Sequence, residues 1–263
     1  MELQHTPELI NSGHPISETL PLISGFPWKL ILLLASSHIF TKTLGPWLMS
    51  SRDSYDLKPF LLIYNGIVFG ANGAGIMLDL WVTDWARVSF DCTPISYQIT
   101  DLKPFFTIYL AYIFFWLHIG EMVPRVVATL MKKKVQWDTF DTITELFFIF
   151  TIYYGIKYYP GKASSFLTLV TLIFGLFDYA MRVCASAGPP TVDIDYWQKT
   201  FAFFKFLHSL SILIHGYILF FTPSCSNITT LSLLEIMAST FNLINTYRNG
   251  STAWSKAKCL KFD

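Results

Sequence analysis

The chain has few charged residues for its length. Asp, Glu, Lys and Arg make up 14% of the 263 residues, whereas 52% are apolar and 17% are aromatic. A soluble domain of this size needs a larger charged surface. The formal net charge of +1 also lacks the basic excess that is typical of nucleic-acid-binding proteins. The sequence therefore predicts an integral membrane protein without a nucleic-acid partner.

The sequence also lacks a basic, apolar leader with a small-residue cleavage site, and it has no internal repeat. We therefore expect internal segments to anchor it. A hydrocarbon core about 30 Å thick is crossed by roughly 20 apolar residues in a helix. Seven stretches fit this length, which predicts an all-α, seven-span transmembrane helical bundle or barrel. The predicted spans are 28–48, 59–82, 105–131, 143–159, 164–184, 200–221 and 228–247.

The predicted domain organisation has three parts. A polar, flexible N-terminal tail covers 1–25, one seven-helix membrane domain covers 26–249, and a C-terminal tail covers 250–263. Lys and Arg are more frequent in the C-terminal tail and in one set of connections, to which we assign Arg182. The positive-inside rule then predicts a cytosolic C-terminus and a lumenal N-terminus.

Two of the four cysteines, Cys92 and Cys225, fall in connections on the predicted non-cytosolic side. Disulfides persist on that side of a membrane, so these two cysteines are predicted to pair. Four cysteines allow three full pairings, and two unpaired thiols are the alternative. Asn227 begins an Asn-Ile-Thr glycosylation acceptor on the same side, but its closeness to the membrane makes it a weak candidate.

The fourth predicted span opens with an acidic stretch, DTFDTITEL over 138–146. Carboxylates in a first turn interact favourably with the helix dipole, and Thr142 and Glu145 have the spacing of a capping box. Asp141 and Glu145 form an i, i+4 acidic pair. No third ligand with a confirming spacing accompanies this pair, so we predict no metal site.

Several segments resemble the fatty-acid elongases, a family of seven-span endoplasmic-reticulum enzymes. LGPWLMSSRDSYDLKPFLLIYN over 44–65 is similar to the family's entry segment, and HIGEMVPRVVATLMKK over 118–133 is similar to its K-x-x-E-x-x-D-T segment with a basic end. The resemblance covers roughly residues 28–250 and implies a location in the endoplasmic reticulum. The Asp-Arg-Tyr and Asn-Pro-x-x-Tyr motifs of seven-span G-protein-coupled receptors are absent from the sequence.

Elongases of this family are 3-ketoacyl-CoA synthases that condense an acyl-CoA with malonyl-CoA. The resemblance implies a histidine box, H-x-x-H-H, whose imidazoles serve as nucleophile or base, and an Asn and a His on the next helix. In this chain Asp141, Thr144 and Glu145 occupy the box positions, and Thr171 and Gly175 occupy the partner positions. None of the six histidines of the chain forms an i, i+3, i+4 cluster. We therefore predict that the family's catalytic residues are lost.

Charged side chains inside a membrane bundle are costly unless they are paired. The resemblance directs several acidic and basic residues towards one interior, which predicts a polar network there. The candidate members are His118, Glu121, Arg125, Asp141, Glu145, Tyr179, Lys205 and His208.

Two functions remain open. The first is a pseudoenzyme that acts as a lipid-binding or structural subunit of a membrane complex. Its partners would be membrane lipids or acyl chains and other membrane protein subunits, or a homo- or hetero-oligomer like those of elongases. The second is an active very-long-chain fatty-acid elongase with a site rebuilt around His118, His208 and Glu145. We expect no cofactor in either case, and the active enzyme would use acyl-CoA and malonyl-CoA as substrates.

Overall fold

The computed structural model describes residues 15–87, 92, 102–132, 139–187 and 194–259. Most of these residues are helical, as the sequence predicts. A π-helical segment, Phe40–Leu44, joins the first two helices, and a 3-10 turn, Pro223–Ile228, precedes the last one. The nine α-helices within the described ranges are α1 Trp28–Ile39, α2 Gly45–Met49, α3 Lys58–Val82, α4 Leu102–Gly120, α5 Met122–Leu130, α6 Thr139–Tyr158, α7 Lys162–Ala187, α8 Ile194–Phe221 and α9 Thr229–Cys259.

These helices lie at the positions of the seven predicted spans, with α1 and α2 sharing the first span and α4 and α5 sharing the third. Within the described part of the chain, four helical stretches are long and apolar enough to cross a membrane. They are Lys58–Val82, Leu102–Leu130, Ala163–Cys184 and Ala202–Phe221. These stretches support an integral membrane protein. The count of seven spans and the orientation of the termini stay predictions.

Six of the helices form a closed ring. Helix α3 packs against α4, α4 against α6, α6 against α9, α9 against α8, α8 against α7, and α7 packs back against α3. The π-helical segment and α2 contact α5 instead and form no side of this ring. The contact between α2 and α5 requires Gly45, because a Cβ atom there would lie 2.6 Å from Cγ2 of Thr129. The ring encloses the space in which the predicted polar residues meet.

The described part of the predicted flexible tail, residues 15–25, is packed against the bundle. Ile23 is fully buried, and the Ser17 hydroxyl donates a hydrogen bond of 2.6 Å to the Ile156 carbonyl oxygen. Lys157 forms an ion pair of 3.2 Å with Glu18 and donates a hydrogen bond to the Gly25 carbonyl oxygen. Apolar side chains of this segment, such as Leu20 and Ile23, are buried against the bundle. Residues 1–14 lie outside the described residues.

The predicted C-terminal tail, 250–263, is helical over part of its length. Helix α9 continues to Cys259, so the predicted boundary between 249 and 250 falls inside a helix. Residues 260–263 lie outside the described ranges. The hydrophobic run ends near residue 247, but the helical backbone does not need an apolar sequence to continue beyond it.

The predicted disulfide between Cys92 and Cys225 is present, with the two Cα atoms 5.2 Å apart. Asn227 is exposed beside this disulfide, and its side-chain amide donates a hydrogen bond of 3.3 Å to the Cys92 carbonyl oxygen. Its glycosylation stays a prediction. Cys184, in α7, is an exposed free thiol.

Candidate functional site

A cavity of about 210 Å³ lies inside the ring, and all six ring helices together with α5 contribute to its wall. The candidate network residues and the predicted positions of the lost histidine box and its partners all line this cavity. They are His118, Glu121, Arg125, Asp141, Thr144, Glu145, Thr171, Gly175, Tyr179, Lys205 and His208. The structure therefore brings together in one place every interior residue that the sequence singled out.

An ion pair joins Arg125 of α5 to Glu145 of α6. Their side chains are 12% and 14% exposed, so the pair is largely removed from solvent. Arg125 reaches this position because α4 ends at Gly120 and α5 starts two residues later. Pro124 lies in the first turn of α5, and proline there is incompatible with an uninterrupted helix through Gly120. The last predicted box position thus carries a carboxylate that is engaged with a guanidinium group.

A second charged cluster surrounds Glu121, at the break between α4 and α5. The Tyr179 hydroxyl donates a hydrogen bond of 2.9 Å to Oε1 of Glu121, and Arg182 lies 3.3 Å from Oε2. Arg182 also forms an ion pair of 2.6 Å with Asp178, four residues earlier on α7, and lies over the Tyr179 ring. The cluster therefore ties α7 to the junction of α4 and α5.

The sequence reasoning missed two members of this cluster. It assigned Arg182 to a connection, but Arg182 lies inside α7 and lines the cavity, so that assignment is wrong. Asp178 was not singled out. An acid and a base four residues apart face the same side of a helix. The i, i+4 spacing of Asp178 and Arg182 within the apolar run of α7 is the sequence pattern that indicates this pair.

The acidic start of α6 has a different role from the capping box. The helix begins at Thr139, so Thr142 lies inside it, and its hydroxyl is 3.1 Å from Nδ1 of His38. Glu145 pairs with Arg125. The capping-box interpretation is therefore wrong, because both side chains are held by neighbouring helices. Asp141 does lie in the first turn, where it accepts a hydrogen bond of 2.7 Å from the Asn245 amide of α9.

Two of the six histidines, His118 and His208, meet in the cavity. Their ring centres lie 4.9 Å and 5.8 Å from that of Phe148. His208 Nε2 is 2.9 Å from the Thr171 hydroxyl, which is one of the predicted positions of the lost partner pair. Among the described residues, no group of three His, Cys, Asp or Glu side chains is arranged to hold a metal ion.

The other partner position, Gly175, is closed by a neighbouring side chain. A Cβ atom at this glycine would lie 2.6 Å from Oδ1 of Asn72. Asn72 itself is held in place, because its amide donates a hydrogen bond of 2.7 Å to the Val68 carbonyl oxygen. The close approach of α3 and α7 thus leaves no room for a histidine at Gly175 unless Asn72 moves.

The wall of the cavity therefore carries charged groups held in ion pairs and hydrogen bonds. Four carboxylates, those of Glu121, Asp141, Glu145 and Asp178, face the cavity together with three basic side chains. These are Arg125, Arg182 and Lys205. Ion pairs in such surroundings resist opening, because separating one partner leaves a charge in a poorly solvated place. This arrangement can fix the ring helices relative to one another and can bind a polar group.

Comparisons with known proteins agree with the resemblance seen in the sequence. No family model matches the chain. The chain is 23% identical over 219 residues to very long chain fatty acid elongase 7 of Drosophila melanogaster, a match that covers 82% of this chain and 65% of that protein. It is 23% identical over 213 residues to a very long chain fatty acid elongase of Aedes aegypti, covering 80% of this chain and 58% of that protein.

A mammalian relative is covered more fully. The chain is 22% identical over 220 residues to very long chain fatty acid elongase 1 of Mus musculus, covering 83% of this chain and 78% of that protein. The matched region spans less than two thirds of the two insect relatives. These similarities confirm the resemblance to the elongases over about four fifths of the chain.

Proposed function

We propose that this chain, whose curated relatives are very long chain fatty acid elongases, is a non-catalytic, elongase-like membrane protein. It serves as a lipid-binding or structural subunit of a membrane complex. The Arg125–Glu145 ion pair carries this proposal. At the position where the resemblance implies a catalytic histidine, the chain has a carboxylate that stabilises the contact between α5 and α6.

Two further observations support the loss of catalysis. The six histidines of the chain include no adjacent pair, so an H-x-x-H-H box is absent from the sequence. The Asn72 side chain fills the space next to Gly175 in which the partner histidine would lie. A carboxylate is a poor substitute for imidazole as a carrier of an acyl group, because the resulting anhydride is prone to hydrolysis. We propose that the chain keeps the elongase-like scaffold without the catalytic residues.

The finer features of this proposal follow the resemblance. They are seven membrane spans, a lumenal N-terminus, a cytosolic C-terminus and a location in the endoplasmic reticulum. The partners are acyl chains or membrane lipids and other membrane protein subunits, including a homo- or hetero-oligomer of elongase-like chains. The proposed role requires no cofactor.

An active elongase is the second candidate, and one observation favours it. His118, His208 and Glu145 line the same cavity, so two imidazoles and a carboxylate lie where a rebuilt site would need them. In that case acyl-CoA and malonyl-CoA would be the substrates. The two proposed functions are distinguished by whether the purified protein forms 3-ketoacyl-CoA when it is given acyl-CoA and malonyl-CoA.

Native mass spectrometry of the full chain, purified in a mild detergent, tests the proposed role. We expect the protein to retain a stoichiometric membrane partner or a bound lipid. A clean monomer that carries neither would contradict the subunit role, even if the protein is catalytically inactive. Retention of a partner that is lost in a Glu121→Gln variant, but not in a Lys103→Gln variant, would connect the partner to the charged cluster around Glu121.

A further inference from the structure

A second cavity, of about 270 Å³, lies beside the ring, between α1 with its π-helical extension and helices α5 and α6. Arg125 and Glu145 line both this lateral cavity and the central one, so their ion pair forms part of the wall between the two. The lateral cavity therefore lies next to the site described above, on the other side of this ion pair.

The lateral cavity is polar at one end and apolar at the other. Along α1 its lining passes from Ile31 and Leu34 to His38, and then to Thr41 and Lys42 of the π-helical segment. A helix rises about 1.5 Å per residue, so this gradient extends for roughly 16 Å, about half of a hydrocarbon core. That length matches an acyl chain from one leaflet of a bilayer.

The apolar side of the lateral cavity has exposed side chains. Ile31 on α1 is 46% exposed, and across the cavity Ile143 on α6 is 41% exposed. In an integral membrane protein these side chains face lipid tails, so an alkyl chain can enter between α1 and α6 without crossing water. The hydrogen-bonded pair of His38 and Thr142 connects the two helices.

The charge of the residues that line the lateral cavity favours one kind of lipid headgroup. Arg125 and Glu145 offset each other in their ion pair, which leaves Lys42 as the net positive charge of the lining. Within the described ranges, no carboxylate lies within ion-pair distance of Lys42. One positive charge suits a singly charged anion. The Thr41 hydroxyl donates to backbone carbonyl oxygens of its own helix, so Lys42 and the His38 imidazole are the groups that face the headgroup. A phosphate with two charges would leave one of its charges without a counter-charge in this lining.

The volume of the lateral cavity favours a lipid with a single acyl chain. Its volume of about 270 Å³ is slightly below that of typical ligand pockets, which are about 300 to 1,000 Å³. Two acyl chains and a glycerol backbone need more room than one slender chain.

We propose that the lateral cavity binds an unesterified long-chain fatty acid. Its carboxylate lies at Lys42 and His38, and its alkyl chain lies along Ile31 and Leu34 between α1 and α6. The inference goes beyond the proposed function, because it concerns a cavity outside the ring and holds for an inactive and an active protein alike. The Arg125–Glu145 pair separates this fatty acid from the central cavity.

Radiolabelled palmitate binding to the full chain in detergent tests the site. Ala35 lines the lateral cavity, so Ala35→Phe should abolish most of the saturable binding, whereas Ser36→Phe, on the neighbouring exposed residue, should leave it unchanged. Lys42→Gln should weaken binding about fivefold, the size expected for a partly exposed ion pair. Lys29→Gln, elsewhere on α1, is the control for charge. Undiminished binding by Ala35→Phe would overturn the proposal.

A photoreactive palmitate with a diazirine on its alkyl chain locates the ligand. We expect the cross-linked peptides to come from 31–42 and 142–146, which line the lateral cavity. Cross-links found only in 171–182 or 204–209 would place the ligand in the central cavity and overturn the proposal. Competition distinguishes the headgroup: palmitate should displace the probe better than palmitate methyl ester or lysophosphatidate. Stronger displacement by lysophosphatidate would contradict the carboxylate assignment.

Discussion

The Arg125–Glu145 ion pair gives the sharpest prediction for stability. Both side chains are almost nine-tenths buried, and Glu145 lies at a position where the resemblance implies a histidine. Glu145→Leu removes the carboxylate and leaves the guanidinium group facing the cavity. Removing one partner of a buried ion pair typically costs about 3 to 5 kcal/mol. At roughly 2 to 4 °C per kcal/mol for a chain of this size, we expect Tm to fall by about 6 to 20 °C.

The double variant Arg125→Met/Glu145→Leu should behave differently. Replacement of a buried ion pair by apolar side chains of similar volume is often neutral or stabilising, so we expect its Tm to lie close to that of the unmodified protein. The assay is thermal unfolding followed by tryptophan fluorescence, with all variants in the same detergent.

An exposed ion pair serves as the matched control for this series. The side chains of Lys103 and Asp84 are 36% and 59% exposed, and pairs of this kind contribute about 1 kcal/mol or less. Lys103→Met should therefore lower Tm by only a few degrees. The reasoning is refuted if Glu145→Leu costs no more than this control, or if the double variant is less stable than Glu145→Leu alone.

Three further predictions concern other contacts. Gly175→Ala places a methyl group against α3 and should lower the free energy of unfolding by about 1 to 3 kcal/mol in the same assay. Gly73→Ala is the control, because its Cβ would make an ordinary contact of 3.7 Å and should not lower stability in this way. Equal losses in the two variants would contradict the close approach of α3 and α7. Lys157→Met removes the ion pair with Glu18 and should release residues 15–25 from the bundle. Cleavage after Glu18 by a Glu-specific protease should then become about fivefold faster. An unchanged cleavage rate would argue against the packing of this segment. Reduction of the disulfide should lower the free energy of unfolding by about 2 to 5 kcal/mol. A Cys92→Ser variant should have the same Tm with and without reductant. If reductant lowers the Tm of that variant as well, the loss of stability does not come from the disulfide.

The positions of the long helices could be predicted from the sequence, because each coincides with a long apolar run. Their arrangement could not, since the closed ring depends on contacts between helices distant in sequence, such as α3 with α7. Residues 15–25 show a related limit. The first 25 residues taken together are polar and contain prolines, which is typical of a loose tail, whereas Ile23 and the ion pair of Lys157 with Glu18 attach residues 15–25 to the bundle.

The candidate site was accessible to the sequence only through the resemblance. Hydrophobic periodicity does not reveal that Arg125 faces Glu145, because the two residues lie on different helices with a connection between them. The local interpretation of Thr142 as part of a capping box failed for the same reason: a residue of α1, His38, holds its hydroxyl. The lateral cavity likewise has no signature in the sequence, because its wall is formed by α1, the π-helical segment, α5 and α6.

The central claim, loss of the condensation activity, is tested most directly by assaying purified protein for 3-ketoacyl-CoA. The protein is given radiolabelled malonyl-CoA and a range of acyl-CoAs, with the variants Thr144→Ala/Glu145→Ala and His208→Ala as controls for a rebuilt site. The account predicts no product above these controls with any acyl-CoA. Product that depends on malonyl-CoA and disappears in His208→Ala, while that variant unfolds at the same temperature as the unmodified protein, would contradict it.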